Sequence, residues 1–382
     1  MKNILILSPD SVRNSMGGLG VHLYNVIENI NRDNFNVDVI TIGDELEDFN
    51  GITVWSIDGY PSLMKTKEAL TDTFILQSRY VALALSLIKN NNIQTPDIIH
   101  ALDWSVAIAA QEIARVTGAK IVFAVHLSIN NYITDIHPFQ KMMYDRACSE
   151  EFEACKQADA IIHVTQKYAD IFPFSIFSHK THVIHNGVNA QEYANAQEYQ
   201  LPGNRTRKFV YIGRIAEMKN VQTLFSTKIP EDADLIFIGS SQGSSERLLE
   251  DLQRLADSTE YIHYIPGLYG QDKINAMSSA DLIIMPSTHE PFGLVALEAL
   301  AAGQNGKAIL LSSFVDGLAE FLTPQAAINC GTTTWSIQEA IRVYSEMSEE
   351  DKTEMRTQGI LLANQYSWLS CTQKIENVWN GI

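Results

Sequence analysis

The chain predicts two doubly wound α/β domains, and three observations carry that prediction. Short apolar, β-rich runs alternate with longer amphipathic stretches along its 382 residues. The runs are continuously apolar rather than alternating, as strands covered by helices on both faces of a parallel sheet must be. The alternation also comes in two series, and the length suits two domains at about 150 residues each.

The first series runs through Asn3–Ser8, Val37–Thr41, Ile52–Trp55, Asp97–His100, Ile121–Val125, Ile161–Val164 and His182–His185. Ser105–Thr117 and Tyr144–Gln157 have the length and periodicity of intervening helices. The second series is Phe209–Ile212, Leu235–Ile238, Tyr261–Ile265, Leu282–Met285 and Ala308–Leu311. Between them lies NGVNAQEYANAQEYQLPGNRTRK, a polar stretch ending near Pro202 and Gly203. The predicted boundaries are a first domain over 1–185 and a second over 186–365, with a last helix over 366–382 returning to the first. Ligands of such sheets sit beyond the carboxyl ends of the strands, so the two domains are expected to face each other across a ligand cleft.

Composition narrows the function classes. Apolar residues make up 46% and charged residues 19%, enough for a core in each half. Against 45 acidic residues stand 28 Lys and Arg, a net charge of -17. Bulk charge of that sign repels phosphate backbones and anionic headgroups, which argues against stable nucleic-acid or membrane binding. Within Tyr60–Lys89, Lys65, Lys67 and Arg79 are offset by Glu68 and Asp72, a weak membrane patch. The four cysteines form no C-x-x-C pair and read as buried small side chains. MKNILILSPDSVRN reads as a buried first strand rather than a leader, and the expected compartment is a reducing cytoplasm.

Three loops after strands carry the chemistry. In the first, Gly17, Gly18 and Gly20 precede a helix expected over Val21–Ile30, a turn that lets backbone N–H groups approach a phosphate. It matches neither G-x-G-x-x-G nor a P-loop, because Leu23 stands where the third glycine belongs and no G-K-[ST] follows. In the second, Arg214 and Lys219 follow the strand Phe209–Ile212 and suit a diphosphate, the guanidinium by paired hydrogen bonds and the ammonium as a point charge. In the third, a strand ends at Met285, the loop PSTHEPFG follows, and a helix opens at Leu294 with Glu298 about one turn inside. Glu298 lies among Ala296, Leu297, Ala299 and Leu300, so its carboxylate needs a partner or a ligand. Asp232-Ala233-Asp234 has the D-x-D form of some metal sites, but its place at the amino end of a strand reads as a solvated loop.

Six stretches in order, SMGGLGVHLYNVI, PDIIHALDWSVAIAA, KIVFAVH, HVIHNGVN, YIGRIAEMKN and HEPFGLVALEALAAG, resemble the retaining glycosyltransferases of the GT-B fold. The likeness is to glycosyltransferase family 4 and the related glycogen synthases. It implies transfer of a hexose or pentose from a nucleoside-diphosphate sugar to a hydroxyl acceptor without a metal or other cofactor. Gly17 and Gly18 would then approach the donor phosphates, and Arg214 and Lys219 would bind the diphosphate. Glu290 would bind the sugar hydroxyls, Phe292, Gly293, Leu294 and Val295 would supply N–H groups, and Glu298 would hold the ribose. His126 would lie beside the anomeric carbon and Asp103 on the acceptor side. The sequence departs from the pattern twice. Ser15-Met16 stand where glycogen synthases carry a lysine, and only Gly317 remains of the glycine pair expected in Ser312–Glu320, which is given no site role. The favoured acceptor is a soluble glycan or small molecule. A hydroxymethylated DNA base, a sugar-nucleotide epimerase and a non-catalytic sugar-nucleotide-binding module are the competing readings.

Overall fold

The computed structural model describes residues 1–12, 17–43, 46–49, 51–57, 69–129, 138–171, 173–241 and 245–382. Ser15, Met16, Lys65, Lys67 and Glu68 lie outside the described residues. The chain forms two compact units, Met1–His185 with Leu369–Ile382, and Asn186–Trp368.

The first unit is built on an eight-stranded sheet in the order β3-β4-β2-β1-β5-β6-β7-β8. The strands are β1 (Lys2–Leu7), β2 (Phe35–Ile42), β3 (Glu47–Phe49), β4 (Ile52–Ile57), β5 (Ile98–Leu102), β6 (Lys120–Val125), β7 (Ala160–His163) and β8 (Thr181–Val183). All neighbours pair parallel except β3 with β4. In β1, Ile4 sits beside Val37 of β2 and Ile98 of β5, so chain order reverses between β1 and β5. Leu5, Leu7, Ile99, Ala101, Phe123 and Val125 form the centre of a buried cluster with Tyr80 from the helix Ala69–Lys89. The Tyr80 hydroxyl donates to the Ser8 carbonyl (2.6 Å), fixing the chain as it leaves β1. The helix Trp368–Gly381 adds Trp379, whose ring meets Phe35 and His100 edge-on at 5.2 and 5.6 Å. Lys2 Nζ donates to the Trp379 carbonyl (2.7 Å), and Glu376 Oε1 accepts from Asn31 N (2.6 Å).

The second unit has six parallel strands in the order β11-β10-β9-β12-β13-β14. They are β9 (Arg207–Ile212), β10 (Ala233–Ile238), β11 (Ile262–Ile265), β12 (Leu282–Met285), β13 (Ile309–Ser312) and β14 (Ile328–Asn329). Here chain order reverses between β9 and β12. Phe209, Tyr211, Phe237, Leu282 and Ile284 form a core with Ile337 and Tyr344 of the helix Thr334–Glu346. Among the described residues no helix is long and apolar enough to cross a membrane.

Four expectations need correction. β3 and β14 went unread, because strands of three and two residues are too short to show a periodicity. The first helix opens at Gly18 rather than Val21, since the glycines themselves take helical geometry. Cys148 is half-buried, unlike Cys155, Cys330 and Cys371. Asp234 is no solvated loop residue. It lies in β10 at 1% exposure, accepting from Lys208 Nζ (2.7 Å) and Arg205 N (3.0 Å), with His263 Nε2 at 3.3 Å. Burial pushes its carboxyl up, but hydrogen bonds from Lys208, the Arg205 N–H and His263 outweigh it and hold the group below the usual carboxylate value. Asp232 remains at the surface, paired with Arg207.

Candidate active site

In a doubly wound sheet, the loops flanking the point where strand order reverses splay apart and leave a ligand crevice. In the second unit those are the loops after β9 and β12, which carry Arg214, Lys219 and Glu290. β9 gives way to Gly213 at φ 148°, and Gly239 at the end of β10 lies so near that a Cβ there would come within 1.9 Å of the Gly213 carbonyl oxygen. This close approach sends the chain into Arg214, whose carbonyl accepts from the Tyr211 hydroxyl. Its guanidinium reaches the Met218 sulfur at 4.0 Å.

Lys219 ends a single 3-10 turn, Glu217–Lys219, and Asn220 follows at φ 56°. A non-glycine residue there is tolerated best as Asn or Asp. The Asn220 amide donates to the carbonyls of Pro286 (3.0 Å) and Thr332 (2.8 Å), and Thr288 N donates to the Met218 carbonyl (3.0 Å). These bonds stitch the two loops together and bring Lys219 Nζ onto Glu290 Oε2 in a largely buried ion pair. An ammonium has three donors and a carboxylate about four acceptor positions, so each partner keeps capacity for a ligand.

Gly293, at φ 99°, turns the loop into the helix Leu294–Ala302; a Cβ there would meet Leu318 Cδ2 at 2.2 Å. The helix's first backbone bonds run from Ala296 and Leu297 to the Gly293 carbonyl. The Leu294 and Val295 N–H groups therefore precede the ladder, at the positive end of the helix. Phe292 is buried against Phe321. Glu298 has the partner its apolar setting demands, Lys273 Nζ at 2.7 and 2.6 Å from its two oxygens, offered by the helix Gly270–Ser279. Burial, then the charges of Glu298 and Glu192, push the phenol of Tyr193 well up. Sequence reasoning missed Lys273, because nothing in QDKINAM distinguishes it from a solvated helix cation.

In the first unit the order reverses between β1 and β5. After β1, Asp10 Oδ1 accepts from Ser11 N (3.0 Å) and Oδ2 from Gly20 N (3.1 Å), tying the loop to the helix that Gly17 caps and Gly18 opens. After β5, Asp103 stands at φ 67°, and its Oδ1 accepts from the N–H groups of His126 (2.7 Å) and Leu127 (3.3 Å). Burial pushes the Asp103 carboxyl up to about 7, against the lowering effect of those two bonds. Glu151, buried and equally unforeseen, accepts from Ser128 Oγ (2.7 Å) and Ile129 N (3.2 Å). Two carboxylates thus hold residues 126–129. His126 is kept neutral, its pKa pulled well down by burial and then by His22, His100 and His163, and the His22 ring lies edge-on at 4.3 Å. Three of the four non-glycine residues at positive φ among those described, Asp103, Asn220 and Asp316, lie in loops at strand ends, where strain collects around functional sites.

Cations and a helix start gathered where one sheet reverses, and a neutral histidine on a clamped loop of another, suit an enzyme that handles a phosphorylated donor. Comparison with known proteins agrees. The pattern of Glycosyltransferase Family 4 matches residues 16–192, and that of Glycosyl transferases group 1 matches residues 195–358. An uncharacterized glycosyltransferase of Methanocaldococcus jannaschii is 26% identical over 330 residues, covering 80% of this chain and 79% of that one. Among solved structures, sucrose-phosphate synthase from Thermosynechococcus elongatus superposes with a TM-score of 0.79 at 17% identity, covering 100% of this chain and 99% of that one. Anabaena HepE in complex with UDP and glucose gives 0.72 at 16%, covering 100% of both chains. The chain has the GT-B fold and belongs to glycosyltransferase family 4, a family of retaining enzymes that use nucleotide-sugar donors.

Proposed function

We propose that this enzyme transfers a hexosyl or pentosyl unit from a nucleoside-diphosphate sugar to the hydroxyl of a soluble glycan or small molecule. The observation that supports the reading is the Lys219–Glu290 pair, a cation and a carboxylate held together in a largely buried contact where the second sheet reverses. Arg214 and Lys219 bind the diphosphate, the N–H groups of Phe292, Gly293, Leu294 and Val295 serve sugar and phosphate, and Glu298, steadied by Lys273, holds the ribose. Gly17 and Gly18 approach the phosphates from the first unit, His126 serves the anomeric carbon, and Asp103 the acceptor.

In the reaction the bond from the anomeric carbon to the β-phosphate oxygen breaks and the acceptor oxygen bonds that carbon on the same face. The acceptor's proton passes to the departing phosphate. Positive charge grows on the ring while negative charge grows on the leaving group. Fixed cations and helix N–H groups stabilise the latter without having to reorganise. A charge-assisted hydrogen bond contributes about 1.5–3 kcal/mol, and each ~1.4 kcal/mol specific to the transition state gives about tenfold in rate. With two cations and a helix start on the diphosphate, the proposed reaction needs no divalent ion. The net charge of -17 supports an acceptor that is neither DNA nor a membrane lipid.

The test is a thermal-shift panel of UDP-, GDP- and ADP-glucose, headed by UDP-glucose because the HepE neighbour was solved with UDP and glucose. At a fixed concentration, a donor that binds more tightly raises Tm further. One donor should stabilise the chain and be slowly hydrolysed without acceptor. Isomerisation of the donor sugar, or binding without hydrolysis, would contradict the proposal.

A further inference from the structure

The segment Ser312–Glu320, which keeps only Gly317 of the glycine pair that the resemblance implies, folds directly against the loop that carries Glu290. Leaving β13, Ser313 donates its N–H to the Met285 carbonyl (3.0 Å) and its hydroxyl to the Ser287 carbonyl (2.6 Å). Asp316 then takes the left-handed conformation, φ 45°. Its Oδ2 accepts from Glu290 N (3.1 Å) and lies 2.5 Å from His289 Nδ1. The next residue returns the contact, Gly317 N donating to the Glu290 carbonyl (3.0 Å), at an approach so close that a Cβ on Gly317 would sit 2.0 Å from the Pro291 carbonyl oxygen.

Two successive residues of this segment therefore hold both backbone polar groups of Glu290. The peptide is fixed from behind while its side chain is fixed in front by Lys219. Glycine would take this backbone conformation freely but has no acceptor. Aspartate tolerates it and supplies one, and the bond to a carboxylate is stronger than one to a neutral oxygen.

We propose that Asp316, steadied by His289, is a positioning residue that sets the orientation of the Glu290 carboxylate toward the donor sugar. The inference rests on the reading of Glu290 given above. A sugar-binding group displaced by a fraction of an ångström loses transition-state stabilisation while the diphosphate still binds through Arg214 and Lys219.

Asp316→Gly tests it well, because glycine takes φ 45° without strain and removes only the side-chain acceptor. The reaction followed is acceptor-free hydrolysis of whichever of UDP-, GDP- or ADP-glucose raises the wild-type Tm most. Wild type, Asp316→Gly, Asp316→Asn and Glu290→Gln are compared for kcat, donor KM and Tm. For Asp316→Gly, kcat should fall about tenfold or more with donor KM within about threefold, while the chain stays folded with a Tm lowered by the loss of the Asp316 contacts. Asp316→Asn, which keeps an acceptor oxygen, should recover most of that loss. A wild-type kcat in Asp316→Gly, whatever its Tm or KM, overturns the proposal. If Glu290→Gln is inactive while Asp316→Gly is normal, only the positioning role fails; if Glu290→Gln is itself normal, the reading of Glu290 fails with it.

Discussion

Lys219 and Glu290, 71 positions apart, form a largely buried ion pair at the point where the second sheet reverses its strand order. The pair depends on contacts beyond the one between its two side chains. Asn220 ties its loop to Pro286, and Asp316 holds the Glu290 N–H. Breaking a hydrogen-bonded buried pair on one side leaves the other charge stranded, so substitution at either end should cost stability as well as activity.

Glu298 is expected to act on binding rather than chemistry, because a ribose contact is made equally in ground and transition states. Glu298→Gln should raise donor KM about tenfold with kcat little changed. Lys273→Met should raise KM in the same direction by releasing the carboxylate from its two bonds of 2.7 and 2.6 Å. Steady-state kinetics on both variants checks this; a fall in kcat at constant KM would assign Glu298 to the chemical step.

Glycine substitutions should separate packing from chemistry. Gly239→Ala would place a methyl 1.9 Å from the Gly213 carbonyl oxygen, forcing apart the ends of β9 and β10. The expected loss is about 1–3 kcal/mol, together with weaker donor binding because Arg214 moves with Gly213. Urea unfolding measures the first and thermal shift with donor the second.

Stability should fall in acid through two buried histidines. Among the described residues His100 and His163 have no hydrogen-bond partner on either ring nitrogen, and burial is the leading cause that holds their pKa at about 3 and about 4. A histidine with a lowered folded pKa binds fewer protons than it does unfolded. Its contribution is therefore present above the ordinary value near 6.5 and is lost as pH falls through the window down to the folded pKa. Urea unfolding between pH 7 and 4 should show stability decreasing, with a shallower slope in a His100→Asn/His163→Asn variant. Equal slopes would mean these rings are not the source.

Divalent metal should prove dispensable. Asp234, half of the D-x-D pattern, is bound to Lys208 and the Arg205 N–H. Asp234→Asn should therefore lower Tm without creating or abolishing a metal dependence. Donor hydrolysis in EDTA should match the untreated enzyme; activity lost in EDTA and restored by Mn²⁺ would contradict this.

The fold was legible because buried parallel strands leave continuous apolar runs, and ten or more of them set the architecture before any contact is known. The strands missed, β3 and β14, are too short to leave a pattern. Arg214, Lys219, Glu290 and Glu298 stood out because charged residues after buried strands, or inside an apolar helix, require explanation. Their supports did not. Lys273, Asp316 and Glu151 become meaningful only when folding places them against residues 25, 26 and 22 positions away. In linear sequence each is an ordinary charge with nothing beside it to mark its distant partner. Asp234 misled for the opposite reason, since its burial comes from strand pairing with Lys208 rather than from local composition.

The most direct test of the account is the turnover of Lys219→Ala on the donor that stabilises the wild-type chain. Loss of a charge-assisted bond to the leaving diphosphate should cut the rate about tenfold or more. Near-normal turnover by a folded Lys219→Ala would contradict the assignment of this pair, and with it the proposed donor site.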